Sequence, residues 1–82
     1  MSKRVGFVGI ILEDRKRSSA SVNAVLSEHG DSIIARLGVP YRERRCSVIL
    51  VVVDMTTDEL GTLTGRLGML EGVSVKSALS KK

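Results

Sequence analysis

The sequence predicts an α+β fold whose elements follow one another in the order β-α-β-β-α-β. Two runs of β-branched and other apolar residues, 4–12 and 46–54, are typical of strands inside a sheet. Segments 33–39 and 73–79 alternate between apolar and other residues, as strands with two different faces do. Between these strands, apolar residues recur every three to four positions, which predicts two amphipathic helices. We expect a four-stranded antiparallel sheet with two helices on one face.

The chain has 82 residues, and we assign residues 1–82 to a single small domain. So short a chain hides only roughly 60–65% of the surface of its unfolded form. Its stability is therefore marginal unless a cross-link or a second subunit adds to it. Cys46 is the only cysteine, which excludes an intrachain disulfide and is typical of a reducing compartment. Phe7 and Tyr41 are the only aromatic residues, so the core must be aliphatic.

The composition predicts a cytoplasmic protein. No apolar run approaches the ~20 residues of a membrane-spanning helix, so no contact with a membrane is expected. The first residues lead directly into a strand pattern, without the apolar segment of a signal peptide. The net charge of +4 is compatible with nucleic-acid binding. The basic residues are, however, divided among three clusters, 15–17, 42–45 and 81–82.

The first strand, 4–12, is predicted to be buried on both sides, because both of its alternating sets of side chains are apolar. A helix should follow a polar connection at 13–19. We expect Ser18 or Ser19 to cap its N-terminus and Gly30 to end it in a left-handed conformation. One face of the strand carries Val5, Phe7 and Ile11, the other carries Val8, Ile10 and Leu12, and the apolar face of the helix carries Val22, Val25, Leu26 and His29.

The second and third strands are predicted to form a long hairpin. Pro40 has no N–H to donate, so it either ends the second strand or marks an edge strand. The turn is "YRERR" at 41–45. Residues 46–54 are apolar on both faces, which predicts a central strand.

The second helix is predicted to cover residues 56–72. Thr56 and Glu59 match the S/T-x-x-E capping box, and Gly72 should close the helix. Gly61 and Gly65 lie on one helical face, where we expect them to allow close packing of the helix on the sheet. The apolar face of the helix carries Leu60, Leu63, Leu67 and Leu70.

The last strand, 73–79, completes the ferredoxin-like arrangement. Two helices cover one face of such a sheet and leave the other face open. Six open apolar side chains, with on the order of 100 Å² each at ~25 cal/mol per Å², represent roughly 15 kcal/mol before the cost of association. We therefore expect a homo-oligomer, a dimer or tetramer, that assembles through its sheet surface. The side chains expected on the open face include several of Val8, Ile10, Leu12, Val48, Leu50 and Val52.

Four stretches, "RVGFVGIILEDR", "GVPYRERRCSVILVVVD", "TTDELGTLTGRLG" and "GVSVKSAL", are spread over nearly the full length of the chain. Through them the chain resembles a family of iron-only hydrogenase system regulators. The resemblance implies a ferredoxin-like fold similar to ACT domains and to the C-terminal domain of the nickel-responsive repressor. Those relatives are oligomeric modules that sense ligands, so the resemblance implies a regulatory, effector- or partner-sensing function for this chain.

Two departures from these relatives bear on the ligand. ACT domains have an Asp-Arg-Pro-Gly-like segment after the first strand, whereas residues 14–17 here are Asp-Arg-Lys-Arg. Without the Pro-Gly pair, an amino-acid effector is not expected. The nickel repressor senses its metal with several histidines and a cysteine, whereas this chain has only His29 and Cys46. The repressor's DNA-binding domain has no counterpart in these residues.

The turn at 41–45 is the strongest candidate for a binding site. Its tyrosine offers an aromatic face and a hydroxyl, and its three arginines offer planar guanidinium groups suited to carboxylate or phosphate. We expect a small anionic effector or a protein partner to bind where the turn of one subunit meets the first loop of another. The predicted site residues are Tyr41, Arg42, Arg44 and Arg45 of the turn, and Asp14 and Arg15 of the loop.

The alternative for the same turn is a solvated hairpin whose arginines pair with Glu43, Glu13 or Asp14. No motif for nucleophilic catalysis or for cradling phosphate occurs in the sequence. We expect no enzyme activity, no cofactor and no metal site. His29 is predicted to be a helix-terminal histidine and Cys46 a small buried apolar residue.

Two other functions are alternatives to the sensing oligomer. One is a nucleic-acid-binding module or transcriptional regulator that acts through the basic surface. RNA-recognition domains have the same element order, although they need aromatic residues on the central strands, where only Phe7 is available. A purely structural assembly subunit is the other alternative. Salt-sensitive binding to DNA or RNA would identify the first.

Overall fold

A computed structural model of the chain describes residues 2–81, and the elements follow the predicted β-α-β-β-α-β order. Short 3-10 turns, at Gly30–Ser32 and Arg42–Arg44, lie before and after the second strand. The predicted fold class is confirmed. The strands are β1 (Arg4–Leu12), β2 (Ile33–Tyr41), β3 (Cys46–Met55) and β4 (Val73–Leu79), and the helices are α1 (Arg15–Glu28) and α2 (Thr57–Gly68).

The four strands form one antiparallel sheet in the order β2-β3-β1-β4. The apolar strands β1 and β3 are therefore the inner pair, as the apolar character of both their faces predicts. Pro40 lies within β2, an edge strand, where it pairs with Ser47. An edge position tolerates a residue that cannot donate to the ladder.

The hydrophobic core lies between the two helices and one face of the sheet. Both helices contribute their predicted apolar faces, and Leu63 and Leu67 of α2 are completely buried. Every large core residue is aliphatic or methionine, as the scarcity of aromatic residues requires. The completely buried side chains of the core include Val8, Ile10, Leu12, Val22, Val51, Val53 and Met55.

In the structure, the two faces of β1 point in the directions opposite to those predicted. Val8, Ile10 and Leu12 were expected on the open face of the sheet, but they lie beneath the helices and are completely buried. Both sets of β1 side chains are apolar, so periodicity alone does not decide which set faces the helices. On β3 the expectation is met, because Leu50 and Val52 are exposed, at 43% and 39%.

The open face of the sheet is an apolar surface built from three strands. β1 contributes Val5, Phe7 and Ile11, which lie beside the exposed residues of β3 because Phe7 pairs with Val52. β2 adds Leu37 opposite Leu50. We call this surface the open sheet face. Its large exposed side chains are Val5, Phe7, Ile11, Leu37, Val39, Tyr41, Leu50 and Val52.

Helix α1 begins earlier than the predicted caps at Ser18 or Ser19. Asp14 is the N-cap, and its carboxylate accepts a hydrogen bond from the Arg17 backbone N–H at 3.3 Å. Aspartate caps helices as well as serine does. Ser18 is buried inside the helix, where its hydroxyl donates to the backbone carbonyl of Glu71 at 3.0 Å.

The predicted glycine stops are also misplaced. Helix α1 ends at Glu28 with His29 as its C-cap, and Gly30 enters a 3-10 turn without adopting a positive φ. Helix α2 ends at Gly68, well before Gly72. Gly72 has a φ of 72°, and this left-handed conformation belongs to the turn that leads into β4.

The expected close packing of Gly61 and Gly65 against the sheet is wrong. A Cβ built at either position meets no atom within 4 Å in the described part of the chain, and both residues are exposed. The closely packed glycine is Gly6 of β1. A Cβ there would lie 2.2 Å from the Ala78 carbonyl oxygen of β4.

Replacing Gly61 by alanine is therefore expected to raise the free energy of unfolding by about 1 kcal/mol, because alanine is the better helix former and finds open space. Urea denaturation followed by circular dichroism measures the change. Gly6→Ala is the matched control, and it should destabilise the protein because β1 and β4 would have to separate. Destabilisation by Gly61→Ala would contradict the open space observed around this position.

A polar cluster joins the end of α1 to the start of α2. The Ser32 hydroxyl donates to the Glu59 carboxylate at 2.8 Å, and His29 Nδ1 lies 3.2 Å from the same carboxylate. The Glu59 backbone N–H donates to the Thr56 hydroxyl, as half of the predicted capping box requires. The hydrogen bond from Ser32, followed by that from His29, lowers the pKa of Glu59 below its usual 4.5.

The Glu59→Gln variant tests this cluster through the pH dependence of stability. A lowered pKa in the folded state means that the ionised carboxylate stabilises the fold above pH 4.5 and loses this effect as the pH falls through the folded-state pKa. The variant should be about 1 kcal/mol less stable at pH 7, and the difference should narrow below pH 4.5. Urea denaturation between pH 7 and pH 3 measures it. Glu71→Gln, in an exposed ion pair with Arg17, is the control and should change stability little.

Candidate functional site

A cleft of about 780 Å³ opens at one edge of the sheet. Ser47 of β3 pairs with Leu12 at the end of β1 and with Pro40 near the end of β2. This double pairing brings the junction of β1 and α1 next to the turn between β2 and β3. The two segments form the walls of the cleft, which is lined by Glu13, Asp14, Arg15, Lys16, Arg42, Arg45 and Cys46.

The helical wall is the first turn of α1, and contacts with the loop before β4 hold it in place. The Glu13 backbone N–H donates to the Gly72 carbonyl at 2.8 Å. Arg17, on the same turn, pairs with Glu71 at 2.8 Å. The first turn of α1 contains no acidic residue, so Arg15 and Lys16 add to the partial positive charge of the helix N-terminus.

The opposite wall is the β2–β3 turn. Arg42–Arg44 form one 3-10 turn, which the Arg45 N–H closes by donating to the Arg42 carbonyl at 3.1 Å. Arg45 has a φ of 57° and so lies in the left-handed region. A residue with a side chain adopts that region at a cost of about 1–2 kcal/mol. The turn directs Arg42 and Arg45 to the cleft.

Cations dominate the cleft. Arg15, Lys16, Arg42 and Arg45 face two carboxylates, which leaves a formal excess of two positive charges. Within residues 2–81, neither these four cations nor Arg44 of the turn lie within 4 Å of a carboxylate oxygen. The pairing of the turn arginines with Glu13, Asp14 or Glu43, considered as an alternative, is therefore not formed. Glu43 instead accepts a hydrogen bond from the Tyr41 hydroxyl at 3.3 Å, and Asp14 caps α1.

The structure brings four of the six predicted site residues together within one chain: Asp14, Arg15, Arg42 and Arg45. The other two lie outside the cleft. Tyr41 belongs to the open sheet face, where it is 46% exposed, and Arg44 is exposed on the turn.

Three lining residues were missed by reasoning from the sequence. Glu13 and Lys16 flank predicted residues, and an earlier start of the first helix would have placed both on the same wall as Arg15. Cys46 was expected to be buried, but it is half-buried and lines the cleft. Its position at the start of β3, directly after the arginine turn, was the signal that could have placed Cys46 in the predicted site.

His29 and Cys46 do not meet within one chain. Cys46 shares the cleft with the N-cap of α1, whereas His29 is the C-cap of that helix. A helix of 14 residues spans ~21 Å. Residues 2–81 contain no group of three or more His, Cys, Asp or Glu side chains that could hold a metal ion. Neither helix of this part of the chain is long and apolar enough to cross a membrane.

The strand order and the two helices on one face define an ACT-like domain of the ferredoxin-like class. The ACT domain from the GTP pyrophosphokinase of Chlorobium tepidum superposes with a TM-score of 0.79 at 19% identity, over 94% of this chain and all of that one (100%). The C-terminal domain of the MgtC protein from Mycobacterium tuberculosis has a TM-score of 0.75 at 16% identity, over 98% of this chain and 90% of that one. Likenesses at these identities concern the fold alone.

The chain belongs to the TM1266-like family, described as "Iron-only hydrogenase system regulator, putative", whose model matches residues 4–77. The TM1266 protein from Thermotoga maritima is 35% identical, with a TM-score of 0.92 over 96% of this chain and 99% of that one. A search of the curated proteins found no match. The family resemblance predicted from the sequence is confirmed.

Replacing Arg45 by glycine should raise the free energy of unfolding by about 1 kcal/mol, because glycine adopts the left-handed conformation without the steric cost of a side chain. Urea denaturation measures this. Arg44→Gly is the matched control in the same turn, and it should lower stability by a few tenths of a kcal/mol, because φ is not positive there. A less stable Arg45→Gly protein would show that contacts of the arginine outweigh its backbone cost.

Proposed function

We propose that the chain is a cytoplasmic, non-catalytic regulatory module that forms a homo-oligomer and senses an anionic effector or partner at its cationic cleft. The observation that carries this proposal is the convergence of four cations without carboxylate partners, from two walls of one cleft. Membership of a family described as regulators supports a role in controlling an iron-only hydrogenase system. The free thiol of Cys46 fits a reducing compartment.

The open sheet face supports assembly. Eight large apolar side chains share this face, and each is between 39% and 56% exposed. Monomeric proteins rarely expose a continuous apolar patch of more than a few hundred Å². A second copy that presents the same face would remove both patches from water, and two-fold pairing of this kind is the commonest assembly of soluble proteins. We propose that the copies pack sheet against sheet.

The cleft and the open sheet face meet at one pair of residues. Cys46 lines the cleft, and its partner across the β2–β3 ladder is Tyr41, which belongs to the open sheet face. A ligand that draws Arg42 and Arg45 inward would act on the turn that connects these two residues. This connection supports sensing, because binding in the cleft would change the surface through which the copies assemble.

Replacing Leu50 by glutamate tests the assembly. Leu50 is 43% exposed near the centre of the open sheet face, so a charge there would be buried between subunits without a partner. We expect the wild type to sediment as a dimer or tetramer, and the dissociation constant of the variant to rise at least tenfold. Analytical ultracentrifugation over a range of concentrations measures both.

Met69→Glu is the matched control for this experiment. Met69 is 86% exposed at the end of α2, away from the sheet, so the same change there should leave assembly unaltered. Circular dichroism establishes that both variants are folded. A wild type that remains monomeric at high concentration would contradict the proposed assembly, and native mass spectrometry of protein from its own host would report any retained effector.

A further inference from the structure

We propose that the cleft binds a small molecule with two or more linked phosphate groups, a diphosphate or a triphosphate. This inference deepens the proposed function and rests on it, because it names the chemical class of the effector. Its basis is the number, type and placement of the cations in the cleft. An amino acid or a monocarboxylate does not match that arrangement.

The cations are divided between two walls. Arg15 and Lys16 belong to the first turn of α1, and Arg42 and Arg45 belong to the β2–β3 turn. A single carboxylate engages one guanidinium in a two-pronged contact and leaves the other cations facing one another. A terminal phosphate carries a charge of about −1.5 to −2 and three acceptor oxygens. Linked phosphates can therefore contact both walls and neutralise the excess charge.

The guanidinium groups favour phosphate for a geometric reason. Three of the four cations are arginines, whose planar forks donate two parallel hydrogen bonds to a phosphate. The carboxylate of Asp14 is already used to cap α1, where it accepts from the Arg17 N–H. Asp14 therefore offers little competition for these donors, and Glu13 is the other carboxylate of the lining.

The size of the cleft agrees with a ligand larger than an inorganic ion. Its volume of about 780 Å³ lies within the range of ~300–1,000 Å³ that is typical of small-molecule sites. Two or three linked phosphates would occupy only part of this space. The remainder would hold an organic group attached to the phosphates.

The backbone of Arg45 is an independent indication. The chain places a long cationic side chain at a φ of 57°, where glycine would cost less free energy. Strained conformations of this kind cluster where a side chain is needed for binding. In this conformation Arg45 lines the cleft opposite α1.

A nucleic acid fits the same charges less well. A strand of nucleic acid needs cations along an extended surface, with aromatic side chains beside them. The cleft cations are confined to one edge of the sheet, and the broad surface next to them is the apolar open sheet face. A small polyphosphate is therefore the better match.

Isothermal titration calorimetry of the full chain with inorganic phosphate, pyrophosphate, tripolyphosphate and ATP tests the inference. We expect the affinity to rise about tenfold from phosphate to pyrophosphate and again to tripolyphosphate, as each group adds charge-assisted hydrogen bonds. ATP should bind at least as tightly as tripolyphosphate if the remaining space accepts an organic group.

Arg42→Ala and Arg45→Gly should each weaken tripolyphosphate binding about tenfold or more. Arg45→Gly is informative because we expect it to be at least as stable as the wild type, so that a loss of affinity would not reflect unfolding. Lys81→Ala is the control, because it removes one positive charge beyond the end of β4, outside the cleft. Its affinity should stay within about twofold of the wild type, which separates a cleft contact from general attraction.

The outcomes separate the two proposals. The inference would be overturned if phosphate and tripolyphosphate bound with equal affinity. It would also be overturned if Lys81→Ala and Arg42→Ala lowered the affinity for tripolyphosphate equally. A different result is that the chain binds citrate but not tripolyphosphate, with the citrate binding abolished in Arg42→Ala. That result would overturn the inference and leave the proposed anion sensing intact. Tighter, strongly salt-dependent binding of a short RNA oligonucleotide would replace it with nucleic-acid recognition. If none of these anions binds, the inference and the proposed anion sensing both fail.

Discussion

The whole structure depends on the antiparallel pairing of β3 with β1 on one side and β2 on the other. This pairing places the two most apolar strands in the middle of the sheet, where one face of each meets the helices. The same pairing decides which segments form the cleft at the edge of the sheet, because Ser47 pairs with both Leu12 and Pro40. The β1–α1 junction and the arginine turn, some thirty residues apart in sequence, become neighbours for that reason.

Much of this fold could be predicted from the sequence, because apolar runs, helical spacing and turn residues are local signals. The assignment of faces could not. In β1 both alternating sets are aliphatic or aromatic, so Val8 and Phe7 are equally good candidates for the core until the register with β3 and the position of the helices are known. The surface that was expected to be open exists, but on β1 it is formed by the other set of side chains.

The errors at helix ends have a different cause. Several residues near each end can satisfy the free backbone groups, and tertiary contacts choose among them. Ser18 is a good cap by composition, yet its hydroxyl is used to hold the loop at Glu71, and Asp14 takes the cap. Gly61 and Gly65 were expected to pack closely because glycine often marks close approach, whereas the glycine that a Cβ would bring within 3 Å of a neighbouring backbone is Gly6. Composition gives the residue types that suit a role, and packing decides which residue fills it.

The candidate site could be predicted only in part, because only some of its residues give a local signal in the sequence. The arginines of the turn are a local signal, and their charge and planarity indicate an anion. Their meeting with Arg15 and Lys16 within one chain is a consequence of topology, which the sequence expresses only through the fold. The same topology places Tyr41 beside Cys46, so the cleft and the apolar face share a strand end. A domain that is too small to cover both faces of its sheet thus has its charged cleft next to the surface that a second copy would cover, and this proximity is the basis of the proposed coupling between a ligand in the cleft and assembly.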